Sequence, residues 1–181
     1  MDGFPTDAKI LLLPGCGNSG PRHWQSRWQA KNPAFRRAMQ DDWMNPVCVE
    51  WQARLEEVVA RTGLETVLVA HSLGCLLVAH WAATTRLHIK AALLVAVPDP
   101  ASPKFPRVAH GFAEPPMRPL PFRSLVVASR DDPYTHPEQA RRCADAWGAG
   151  FVDIGPAGHI NADSALGAWD EGLSLLRCLC E

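Results

Sequence analysis

Short apolar runs alternate along the chain with longer stretches of helical periodicity, and that alternation predicts an α/β protein. Ile10 to Leu13 is apolar throughout and stops at Pro14-Gly15, as a buried strand does at a turn. His23 to Lys31 follows, with Trp24 and Trp28 four positions apart on one helical face. A second, weaker strand is expected over Phe35 to Gln40, ending at Asp41-Asp42-Trp43. Asn45-Pro46 has the form of an N-cap and first-turn proline, after which Val47, Trp51, Leu55, Val58 and Val59 keep helical spacing until Gly63. Val67 to Ala70 reads as a third strand and Leu73 to Thr84 as a helix apolar nearly all round, hence buried. Ala91 to Val97, Leu125 to Ser129 and Phe151 to Ile154 complete the strands; Pro137 to Trp147 and Leu166 to Cys180 complete the helices.

Strands separated by helices imply a parallel sheet covered on both faces. Ligands of such sheets bind beyond the carboxyl ends of the strands. The rhythm fails only between Pro98 and Phe122, where prolines crowd and periodicity is weak; this segment is expected to be an ordered loop. With 181 residues and no internal repeat, the chain is expected to form one domain over residues 1–181.

Charge narrows the functional classes. Lys and Arg number 18 against 19 Asp and Glu, and no basic block is long enough to follow a phosphate backbone, which argues against nucleic acid. No apolar run reaches the roughly 20 residues of a membrane span, and the start, Met1 to Lys9, is short and polar, so a soluble cytoplasmic protein is expected, with no membrane partner. Cysteines 16, 48, 75, 143, 178 and 180 form no CxxC pair, which fits reduced thiols. Neither HExxH nor a paired Cys/His spacing occurs, so no metal is expected, and no other cofactor either. A homodimer is compatible with such a chain, although nothing in the sequence specifies an oligomeric state.

Candidate chemistry begins at Ser72. Val67 to Ala70 ends in His71-Ser72-Leu73-Gly74, directly before an apolar helix, which is the layout of a nucleophile elbow. Gly74 fits the small position after the serine, and Ala70 stands where glycine is usual before it. A serine capping a helix after a buried strand would look the same, so partners decide. They follow in order: Asp131 and Asp132 past the fifth strand, and His159 past the sixth in Gly155-Pro156-Ala157-Gly158-His159. Ser, Asp, His is the α/β-hydrolase order. A loop histidine without chemistry is the bland alternative for His159, but two preceding glycines suit a loop that swings an imidazole over the sheet edge. Asp132 is favoured as the acid that orients it; Asp131 is the alternative, since Asp-Asp-Pro is also turn chemistry.

The oxyanion donors are expected to be the backbone N–H of Leu73 and, from the loop after the first strand, that of Cys16, with Gly17 as the alternative. Gly15, Gly17, Trp24 and Trp43 follow strand ends and are candidate pocket residues. One signal competes. Gly15-Cys16-Gly17-Asn18-Ser19-Gly20 is a literal GxGxxG with Asp41 about 20 residues on, the dinucleotide fingerprint. Pro21 follows at once, however, and a dinucleotide site would leave Ser72, Asp132 and His159 without a purpose. His71 is expected to pack in the elbow without titrating.

Pro14-Gly15-Cys16-Gly17-Asn18-Ser19-Gly20, His23-Trp24-Gln25, Asp41-Asp42-Trp43, Ala70-His71-Ser72-Leu73-Gly74, Ser129-Arg130-Asp131-Asp132-Pro133-Tyr134 and Gly158-His159-Ile160-Asn161 together resemble the small bacterial serine hydrolases related to retinoblastoma-binding protein 9. The resemblance spans nearly the whole chain. It implies a reduced α/β-hydrolase fold, six strands in the order 2-1-3-4-5-6, and a triad of Ser72, Asp132 and His159. No LxCxE segment occurs, so the partner in that vertebrate name is not implied. The activity expected is that of a carboxylesterase-type hydrolase acting on a small acyl substrate. The loop 98–122 stands where larger hydrolases insert a lid, which predicts an open, shallow site. A non-catalytic binding or scaffold protein on the same fold is the alternative.

Overall fold

The structure is a computed structural model and describes residues 7–181. The expectation drawn from the polar start rests mostly on residues 1–6, which lie outside the described residues. Six strands form one sheet: β1 (Lys9–Leu13), β2 (Arg36–Arg37), β3 (Thr66–His71), β4 (Ala91–Val95), β5 (Arg123–Ala128) and β6 (Gly150–Asp153). They lie in the order β2-β1-β3-β4-β5-β6 with every neighbouring pair parallel, as expected. The helices are α1 (Trp24–Lys31), α2 (Cys48–Thr62), α3 (Leu73–Thr84), α4 (Pro137–Trp147) and α5 (Asp170–Cys180).

Alternation along each strand divides the core in two. Leu11, Leu13, Leu68, Ala70, Leu94 and Val126 pack with Trp51, Leu76, Trp81 and Trp147 of α2, α3 and α4. Ile10, Leu12, Val67, Val69, Leu93 and Val95 pack with Trp24, Trp28, Leu176 and Leu179 of α1 and α5. Both faces being covered explains why the central strands are uninterrupted apolar runs. No helix among the described residues is long and apolar enough to cross a membrane.

Several boundaries differ from the pattern. The second strand shrinks to Arg36–Arg37, because only Leu11 and Leu12 of β1 offer it a ladder. Helix α2 begins at Cys48 with Val47 as its cap, not at Asn45-Pro46. Asn45 is engaged elsewhere: its N–H and side-chain amide bond the carboxylate of Asp42, at 2.9 and 3.0 Å. The first helical amide, Cys48 N–H, donates instead to the carbonyl of His110 in the proline-rich loop at 2.9 Å. The last helix starts at Asp170, since Gly167 and Trp169 adopt left-handed φ of 61° and 46°.

The segment from 96 to 122 contains no helix or strand. Side chains peg it down: Phe112 is fully buried with its ring 5.7 Å from that of Trp51, and Trp147 Nε1–H donates to the Pro116 carbonyl at 2.9 Å.

Candidate active site

Strand order reverses between β1 and β3, so the loops leaving their carboxyl ends part there and open a crevice. Ser72 stands at that point, between β3 and α3, with a backbone of φ 54° and ψ −123°. A non-glycine residue held so costs on the order of 1–3 kcal/mol and persists only where its surroundings force it. They do. A Cβ at Gly74 would come within 2.5 Å of the Leu13 carbonyl, and one at Gly15 within 2.9 Å of Ser72 Cβ. Only glycine at both positions lets β1 and its loop close over the elbow. Ala70, where glycine is usual, is fully buried without displacing its strand.

The other two candidates converge on Ser72. His159 Nε2 lies 2.8 Å from Ser72 Oγ, and its Nδ1 lies 3.0 and 2.9 Å from the two carboxylate oxygens of Asp132. The Asp132 side chain is wholly buried and its Oδ1 also accepts the Tyr134 N–H at 2.9 Å. Asp131 faces solvent. Its Oδ1 accepts from Ser129 Oγ and from the Gly158 N–H, both at 2.8 Å, so it ties the loop after β5 to the histidine loop. Those bonds, the Ser129 hydroxyl first, hold its carboxyl below the ordinary carboxylate value.

His159 is gripped on further sides. Its carbonyl accepts from His71 Nε2–H at 2.9 Å, and the Tyr134 ring lies 4.4 Å from its own. His71 is buried, which pushes its pKa well down, with His23 and His159 adding to the effect. It therefore stays neutral, as the sequence suggested, and holds the histidine loop from below. The next residue, Ile160, has its carbonyl bonded by Trp24 Nε1–H at 2.7 Å.

The β1 loop and the start of α3 meet beside Ser72. The Gly15 Cβ direction points to within 3.2 Å of the Leu73 nitrogen, so the β1 loop crosses directly over the first turn of α3. Neither Cys16 nor Leu73 donates its N–H to an acceptor among the described residues. Gly17 does: its N–H goes to the Trp43 carbonyl at 2.8 Å. The N–H of the alternative donor is thereby engaged.

A cavity of about 330 Å³ adjoins these groups, near the small end of ligand sites. Gly15, Cys16, Asn18, His23, Pro98, Pro106, Tyr134 and Asn161 line it together with Ser72 and His159. Trp24 does not; it is buried in a cluster with Trp28 and Trp169, because the helix turns it toward the sheet. Gly17 and Trp43 do not line it either, being bonded to one another, with Trp43 packed on Trp51. No Asp, Glu, Lys or Arg is part of the lining, and among the described residues no cluster of three His, Cys, Asp or Glu gathers to hold a metal.

Sequence comparison agrees with the geometry. A family model described as serine hydrolase matches residues 10–178. The chain belongs to the serine hydrolase family. No curated protein matches it in sequence. Among solved structures, this serine hydrolase is similar to a protein from Pectobacterium atrosepticum described as a YdeN-like hydrolase, at 29% identity and a TM-score of 0.85, over 96% of this chain and 90% of that one. The ydeN gene product of Bacillus subtilis shares its fold at 17% identity and a TM-score of 0.78, over 95% and 98% of the two chains. The type II thioesterase BorB of the borrelidin biosynthetic cluster does so at 20% identity and 0.69, over 99% and 94%.

The glycine-rich loop of this serine hydrolase is not shaped as a dinucleotide cradle. Three residues separate Gly20 from α1, whose cap is His23, and Asp41 is paired with Arg54 at 2.9 Å. His23 and Gln25, quoted above only as part of a motif, and Arg37 are residues whose roles the sequence did not reveal. Gln25 sits fully buried beside two tryptophans, and an amide in that company was the available signal.

Proposed function

We propose that this serine hydrolase is a carboxylesterase-type enzyme that cleaves a small ester or related acyl substrate through an acyl-enzyme. The observation that carries the reading is the unbroken line from Ser72 Oγ to His159 Nε2 at 2.8 Å and from Nδ1 to Asp132 at 2.9 Å. In it, Ser72 Oγ attacks the carbonyl carbon while His159 Nε2 takes its proton. Asp132 accepts the Nδ1–H, fixing the tautomer and stabilising the imidazolium. The N–H groups of Leu73 and Cys16 receive the oxyanion. The tetrahedral species collapses, the leaving group takes the proton from His159, and a water deprotonated by the same imidazole releases the acyl group. No cofactor enters any step. A cavity of this size, with no Asp, Glu, Lys or Arg in its lining, supports small or extended substrates. The kinship to the hydrolases related to retinoblastoma-binding protein 9, and a cytoplasmic setting, belong to the same proposal.

A fluorophosphonate probe tests it. Labelling of the wild type that disappears in Ser72→Ala is expected; a folded wild type that takes no label would refute the reading.

A further inference from the structure

The segment from Gly15 to Gly20 approaches Ser72 at Gly15 and brings Cys16 to the cavity wall, yet it has no regular structure of its own. Its order comes from outside. Asn18, at a left-handed φ of 65°, closes a turn by donating its N–H to the Gly15 carbonyl at 3.1 Å, with Cys16 inside that turn. Asn18 Oδ1 accepts from the Ser19 N–H at 2.7 Å and from Arg37 Nη1 at 2.8 Å. The same Nη1 donates to the Ser19 carbonyl at 3.1 Å, and Nη2 to Ser26 Oγ at 2.8 Å. Ser26 Oγ in turn donates to the Ser19 carbonyl at 2.7 Å. On the other side Ser19 Oγ donates to Gln25 Oε1 at 2.6 Å, while Gln25 Nε2 reaches the carbonyls of Leu13 and Val69, at 3.3 and 3.0 Å, on the two strands that part at the crevice.

Arg37 is unusual within this network. It is half-buried, and among the described residues no carboxylate lies at ion-pair distance from it. Charges withdrawn from water are ordinarily paired with an opposite charge. Here the partners are three neutral oxygens, so no opposite charge among the described residues compensates the guanidinium. Its charge is felt at the cavity wall, where it helps to hold His23 in its neutral form. A charge on an edge strand also keeps the strand from pairing with other chains, but Arg36, its exposed neighbour, meets that need.

We infer that Arg37 is a positioning residue for the oxyanion side of the site. Its planar fork fixes Asn18 and Ser19, and with them the turn that aims the Cys16 N–H, while its charge favours an anion forming beside that turn. The kinetic part of this inference rests on the hydrolase reading.

Arg37→Met, Arg37→Lys and the control Arg36→Gln are compared in hydrolysis of a short activated ester and in affinity for a trifluoromethyl ketone, which forms a tetrahedral adduct with an active serine. Exchange of the Gly17 N–H, bonded to Trp43, is followed by NMR as a measure of loop order. In Arg37→Met, kcat is expected to fall by about tenfold to a hundredfold with KM within about twofold, and ketone affinity by the same factor as kcat. Gly17 exchange accelerates, Arg37→Lys recovers part of kcat, and Arg36→Gln behaves as wild type. If Arg37→Met does not fold, Ser26→Ala, which removes one anchor of the guanidinium, is expected to show the same pattern at smaller size. A loss carried by KM alone, a lysine variant no better than methionine, or a kcat within about twofold of wild type would overturn the inference. Exchange requires no turnover: unchanged Gly17 protection in the folded variant overturns it even where the wild type is inert. Absence of labelling and turnover in the wild type refutes the hydrolase reading alone.

Discussion

Two neighbouring aspartates part company after β5. Asp132 turns inward to the His159 imidazole, and Asp131 outward to Ser129 and the Gly158 N–H. Asp132→Asn can no longer hold Nδ1–H or balance the imidazolium, and a fall in kcat on the order of 10⁴ is expected. Asp131→Asn keeps most of the activity and loosens the two loops; steady-state kinetics on both variants checks the division of labour. His23 supplies a second prediction. Burial first, then the charge of Arg37, then His159 lower its pKa from 6.5 to about 4. Between those values the unfolded chain binds a proton that the folded one does not, so stability falls as pH drops from about 6.5 and levels off below about 4. The loss attributable to His23 is on the order of 3 kcal/mol. His23→Asn retains a side-chain cap for α1 without titrating, and urea unfolding across that range is expected to show a flatter profile.

At the scale of elements, the elbow is a packing problem that glycine solves. Gly74 in the first turn of α3 sits against the carbonyl of Leu13, where β1 ends. A methyl group at 2.5 Å from a backbone oxygen cannot be absorbed by a rotamer change, so β1 or α3 has to move. Gly74→Ala is expected to cost about 1–3 kcal/mol in urea unfolding and to disturb the loop that continues from β1. The helices were legible in the sequence where one face was apolar, as with Trp51, Leu55 and Val59 of α2. The starts of α3 and α4, at Leu73 and Pro137, were legible too, but that of α2 was not. Asn45-Pro46 carries good capping chemistry, but the loop residue His110, more than sixty positions away in sequence, supplies the acceptor that α2 uses. Trp24 shows the same limit: a tryptophan in the connection after a strand reads as a pocket wall until the fold brings the Ile160 carbonyl to its Nε1.

For the molecule as a whole, the proline-rich segment from 96 to 122 has no element of its own, is pegged by Phe112 and Trp147, and gives Pro98 and Pro106 to the cavity. A wall of this kind leaves little room, so kcat/KM is expected to decline from acetyl and butyryl esters to long-chain ones; equal turnover of both would show that the cavity does not limit the acyl group. Sequence alone determined the parallel sheet and its alternating helices, because periodicity reports which faces are buried, and it determined the order of Ser72, Asp132 and His159, because each follows a strand end. Tertiary structure decided what depends on groups remote in the chain: which aspartate meets the imidazole, that the Gly17 N–H is taken by the Trp43 carbonyl, and which side chains hold the loop around it. A hydrogen bond is settled over a few tenths of an ångström, and linear spacing does not carry that information.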